Sequence, residues 1–116
     1  LKERKVRIII TSDHWTVRVQ NPSKIIGDKA TTTNLRYKTG KNLNFNEKEV
    51  FFIKNPEDAL LPKSNLSSTY VFAKEDYYFC YPNNYNHFAN YYRNTFQHGG
   101  VSIEEVIVPV AVFESK

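Results

Sequence analysis

The chain has 116 residues, 41% of them hydrophobic, and a net charge of +4. That length supports one domain and a real core, and the hydrophobic content excludes wholesale disorder. A single cysteine, Cys80, excludes an internal disulfide and a thiolate zinc site and fits a reducing cytoplasm.

The start, Leu1 to Lys5, is charged and precedes only a short apolar run, so it does not read as a secretory signal. The sequence contains no Met, and the chain is expected to be part of a longer polypeptide. No apolar run approaches the roughly 20 residues a membrane helix needs, so no membrane partner is expected. Val6 to Ile10 is β-branched and reads as a buried strand. It ends at the polar cluster Thr11-Ser12-Asp13-His14, where open α/β sheets collect ligands and catalytic groups. Thr16 to Gln20 alternates like a half-exposed strand. Residues 21–49 are turn-rich, punctuated by Asn21-Pro22, Gly27-Asp28 and Gly40.

Glu49 to Lys54 is a further strand. Pro56 to Leu61 reads as a short helix, with Asn55 as N-cap, Pro56 in its first position and Pro62 as its stop. Ser68 to Ala73 and Tyr77 to Tyr81 read as strands joined into a hairpin by Lys74-Glu75-Asp76. Tyr85 to Arg93 fits a helix with Phe88, Tyr91 and Tyr92 on one side. Ser102 caps a short helix over 103–106, with Glu105 at the capping-box position. Pro109 ends it, and Val110 to Phe113 closes the chain as a strand. The expected organisation is a core strand and metal loop over 1–20, an insertion over 21–95, and a His loop, short helix and final strand over 96–116.

Asp and His are the usual non-thiol zinc ligands. Asp13 and His14 stand at a strand end, and His98 precedes Gly99-Gly100, which lets the backbone turn sharply. By residue type alone these are either metal ligands or ordinary loop residues. Lys24, Lys29, Arg36, Lys38 and Lys41 surround Thr31 to Thr33 in a stretch suited to phosphate oxygens, or else to a solvated loop face. Arg36 is the preferred phosphate contact because its planar fork matches a phosphodiester. The aromatic tract from Tyr77 to Tyr92 suits either base stacking or core packing. His87 reads as a packing residue.

The string Ile10-Thr11-Ser12-Asp13-His14 resembles the Thr/Ser-Asp-His motif of the alkaline phosphatase superfamily. The string from His98 to Pro109 resembles the closing His-Gly-Gly-x-Ser-x-x-Glu-x-x-x-Pro motif of its PglZ branch. The stretch Gly27 to Asn42 resembles PorX-type response regulators of Bacteroidetes, in which a receiver domain precedes a PglZ domain. The resemblance implies an α/β fold: the C-terminal fragment of an alkaline-phosphatase-like domain, with core strands at both ends and a mostly antiparallel, β-rich insertion between them.

It also implies a centre of two metals, usually zinc, with Asp13 and His14 serving one ion and His98 the other. The nucleophile and remaining ligands would lie in the missing N-terminal half of the domain, so that this chain alone is inactive. The substrate would be a phosphate ester such as an oligonucleotide, in a phosphodiesterase or phosphatase. Partners would include the receiver domain, and a homo-oligomer is expected where end strands lack neighbours. The alternative function is a regulatory module in type IX secretion signalling that binds a nucleotide or protein without essential catalysis. The family pattern has Gly after Asp-His where this chain has Trp15. That ring either walls the substrate pocket, as a substrate-binding residue beside Arg36 and Lys29, or marks an altered site.

Overall fold

The computed structural model describes residues 3–28 and 31–115. Its chain runs β1 (Arg7–Thr11), β2 (Val17–Arg18), β3 (Asn21–Ile26), β4 (Tyr37–Gly40), β5 (Asn44–Phe45), β6 (Val50–Ile53), a 3-10 turn (Pro56–Ala59), β7 (Thr69–Ala73) and β8 (Tyr77–Cys80). Then follow α1 (Tyr85–Tyr92), β9 (Phe96–Gln97), α2 (Ile103–Val106) and β10 (Val110–Glu114). The result is strand-rich, and its helices are few and short. Among the described residues, all strand pairings are antiparallel except that of β3 with β8.

The core lies in the middle of the chain and is divided by β8. Strand side chains alternate between faces, so Tyr78 and Cys80 join Val17, Val19 and Ala89 in one cluster. Phe79 points the other way, into Ile25, Val50, Val71 and Ala73. The expected alternation of 16–20 is present: Val17 and Val19 are buried, Arg18 and Gln20 exposed. The Tyr78 hydroxyl donates to the Ala89 carbonyl and ties α1 to this core. The buried side of α1 is therefore Ala89 with Tyr85 and Tyr92, whereas Phe88 and Tyr91 face solvent.

Three expectations change. The turn-rich stretch 21–49 holds β3, β4 and β5; Pro22 fits because Asn21 and Pro22 lie at the start of β3, where a missing N–H is tolerated. Lys74 to Asp76 do form a turn, with the Tyr77 N–H donating to the Lys74 carbonyl at 3.0 Å. The strands it joins are not a hairpin, however, because β7 lies between β4 and β6 while β8 pairs with β3. The 3-10 turn ends at Leu60 in a left-handed conformation, φ 55°, before Pro62 is reached.

The end strands pair with each other. β1 and β10 form a two-stranded antiparallel ribbon in which Thr11 faces Val110 and Arg7 faces Glu114. These strands were expected to be buried, and they are exposed along their whole length. Ile9 is 61% and Val112 54% exposed. Strands that are apolar on both faces belong inside a sheet covered on both sides, and among the described residues neither face of this ribbon is covered.

Candidate metal centre

Two antiparallel pairings build the site. β1–β10 brings the end of one loop (12–16) beside the end of another (98–109), and β2–β9 closes both from the far side, with Val17 opposite Gln97. His14 stands just before β2 and His98 just after β9, so the pairing forces them together. Their rings stack with centroids 3.7 Å apart and planes 11° from parallel. The Trp15 N–H donates to the Glu105 carbonyl at 3.0 Å and fastens the first loop to α2. The Thr11 hydroxyl donates to the Pro109 carbonyl at 2.9 Å.

The tautomer of His14 follows from its neighbour. Nδ1 lies 3.0 Å from the Trp15 carbonyl oxygen; a carbonyl only accepts, so Nδ1 carries the proton, and in the neutral ring Nε2 is the nitrogen with the free lone pair. Nε2 lies 3.7 Å from Asp13 Oδ1, and the Asp13 carboxylate is 92% exposed. The Ser12 hydroxyl holds the His14 carbonyl at 2.8 Å. Donors of the type zinc prefers thus sit together at an open surface.

Their arrangement is specific. Imidazole lone pairs lie in the ring plane, and zinc–nitrogen bonds are about 2.0–2.1 Å. Planes this far apart and this nearly parallel cannot both contain one ion. They can serve two ions side by side, at the roughly 3.5–4 Å spacing of two-metal sites. Among the described residues, no group of three or more His, Cys, Asp and Glu converges on a single point. In kind, Asp13, His14 and His98 are donors of the type zinc takes.

Arg36 is not at this surface. It is fully buried because its fork closes on Glu105: Nε donates to Oε1 at 2.9 Å and Nη2 to Oε2 at 3.0 Å. Its remaining donors reach the Tyr77 and Glu75 carbonyls. The fork expected to meet a phosphate therefore meets a carboxylate inside the fold. Glu105 also accepts the Gly100 N–H at 2.9 Å and both the N–H and the hydroxyl of Ser102, at 3.1 and 2.7 Å, completing the capping box. Burial alone raises its pKa. The hydrogen bonds from Arg36 and Ser102, the Arg36 charge and the Gly100 N–H outweigh that and hold the carboxyl below its ordinary range.

Lys38 is also internal. Its ammonium donates to the Thr32 carbonyl at 2.8 Å and lies 4.7 Å from the centre of the Tyr81 ring. Desolvation brings its pKa down to about 8. Lys29 falls outside the described residues. Trp15 is half exposed and lines an open apolar cleft with Ile103, Ile107, Val108 and Pro109; His14 and His98 are not part of that lining.

The sequence matches the BREX system PglZ alkaline phosphatase-like domain over residues 2–113. The chain belongs to the PglZ family. It is a domain of the alkaline phosphatase-like, phosphoesterase type. No curated protein matches it closely enough to count as a relative. The PglZ match spans both His loops and the strands between them, so all the elements that bring His14 to His98 lie within the matched residues. No helix among the described residues is long and apolar enough to cross a membrane.

One feature of the site was missed from sequence. Asn34 accepts the Arg36 and Tyr37 N–H groups on Oδ1 at 2.7 and 3.2 Å, and its Nδ2 donates to the His98 carbonyl at 3.3 Å. The only signal available was an Asn in a turn-rich stretch.

Proposed function

We propose that this PglZ chain contributes Asp13, His14 and His98 to the two-zinc centre of a phosphodiesterase or phosphatase. The carrying observation is the stacking of His14 and His98 at 3.7 Å, which sets two imidazole rings face to face. Asp13 and His14 serve one ion and His98 the other. The further ligands and a Ser or Thr nucleophile come from outside these 116 residues.

Bound zinc would polarise the phosphoryl group and stabilise charge developing on the leaving oxygen. The chain's own part is orientation. The Trp15 carbonyl selects the His14 tautomer, and the loop hydrogen bonds hold both rings before an ion arrives. Trp15, next to His14 in the chain and half exposed, would serve as a wall for an aromatic or nucleobase-bearing ester. The exposed ribbon joins the sheet that carries the missing donors, which accounts for its two uncovered apolar faces. The likeness of residues 27–42 to PorX-type regulators supports a response-regulator output role in type IX secretion signalling.

The test is zinc-dependent hydrolysis of bis(p-nitrophenyl) phosphate by the full reading frame that encodes this chain. His98→Ala and Asp13→Asn should each lower turnover by more than about a hundredfold, since a metal supplies several kcal/mol to this step. Normal turnover in His98→Ala would remove His98 from the centre.

A further inference from the structure

The His98 loop is gripped from two directions, directly by Asn34 and, on the other side, by Glu105, which Arg36 holds in place. On one side the Asn34 amide donates to the His98 carbonyl at 3.3 Å. Its side chain also fills the space beside Gly99: a Cβ there would meet Nδ2 at 2.7 Å, and Gly99 has φ +104°. On the other side Glu105 accepts the Gly100 N–H, and Glu105 is itself held by the buried fork of Arg36. A Cβ on Gly100 would meet Glu105 Oε2 at 2.6 Å. Both glycines therefore allow an approach that any side chain would block.

Asn34 and Arg36 are themselves coupled, because Asn34 Oδ1 accepts the Arg36 N–H at 2.7 Å. We propose that Asn34 and Arg36 are positioning residues for His98: the insertion sets where that imidazole stands against His14. This inference rests on the metal-centre reading for its purpose, but its geometry is independent of any ion. A loop ending in Gly-Gly has wide backbone freedom, and free rotation about His98 would lose the parallel rings. Groups that orient a metal-binding His act in this way and change affinity without touching metal.

Asn34→Asp separates the two roles of the side chain. It keeps the acceptor for the Arg36 and Tyr37 N–H groups, which Asp supplies as readily in such turns. It removes the donor to the His98 carbonyl and sets a negative oxygen there instead. The readout is the side-chain proton NMR of His98, whose ring protons sit over the His14 ring and are shifted upfield by its ring current. In Asn34→Asp they should move downfield while the backbone amide spectrum and the melting temperature are retained. Zinc affinity by calorimetry should fall by about 10- to 100-fold.

Unchanged His98 ring protons in Asn34→Asp would overturn the proposal, and so would collapse of the whole spectrum, which would make Asn34 a fold residue. The metal reading fails separately: a wild-type protein of the full reading frame that takes up no zinc, beside a variant that still loses the ring shift, sinks that reading and leaves the positioning role standing.

Discussion

Arg36 and Glu105 form an ion pair with side-chain exposures of 0% and 1%, joined at 2.9 Å. It links the start of β4 to α2 and, through Gly100, to the His98 loop. Removing one partner from such a pair leaves an uncompensated buried charge and costs about 3–5 kcal/mol. Arg36→Ala and Glu105→Ala are each expected to lose stability in that range, measured by urea denaturation. The double variant Arg36→Met/Glu105→Leu should lose clearly less than the sum of the two.

The same pair gives a pH dependence with a definite sign. The folded carboxyl of Glu105 is held below its ordinary value, and an unperturbed Glu titrates near 4.3. Its contribution is therefore fully present above about pH 4.3 and is lost as pH falls through the lower folded value. Arg36→Met/Glu105→Leu should flatten the acid limb of a melting-temperature profile; an unaltered limb would assign that loss to other groups.

Lys38 acts at the other end of the scale. Its folded pKa is about 8, against about 10.4 for a free lysine. Between these values the unfolded chain binds more protons, so this group makes stability rise with pH across that window. Lys38→Met removes the titration. Wild type should therefore gain on the variant between about pH 8 and 10, and a constant difference in melting temperature across that range would contradict the assignment.

What was legible in the sequence was local. The β-branched runs that become β1 and β10, the Ser102–Glu105 capping box and the α1 span all depend on neighbours within a few residues, and all appear. What was not legible depends on distant partners. Arg36 sits among basic and hydroxyl residues and reads as a phosphate contact; only the fold reveals Glu105 facing it. β3 was hidden because its parallel partner β8 lies beyond several intervening strands. The motifs singled out Asp13, His14 and His98, but the face-to-face stacking of the two imidazoles comes from the short β2–β9 pairing, which has no strong periodicity of its own.

The ribbon predicts behaviour in solution. Ile9 and Val112 face each other on one exposed face, and an isolated two-stranded ribbon is marginal in water. The 116-residue chain should associate in a concentration-dependent way by sedimentation velocity, through open edges and uncovered faces. Ile9→Lys with Val112→Glu should shift it towards monomer. A wild-type chain that stays monomeric across a wide concentration range would contradict this.

The central claim is that His14 and His98 are zinc ligands for adjacent ions, and zinc calorimetry tests it most directly. Wild type, His14→Ala and His98→Ala, each as the protein encoded by the full reading frame, should be titrated side by side. Zinc uptake that weakens by at least about tenfold in each variant, with the fold retained, is the result expected. In the protein encoded by the full reading frame, uptake that is absent in the wild type, or equal in all three, would show that His14 and His98 are not zinc ligands.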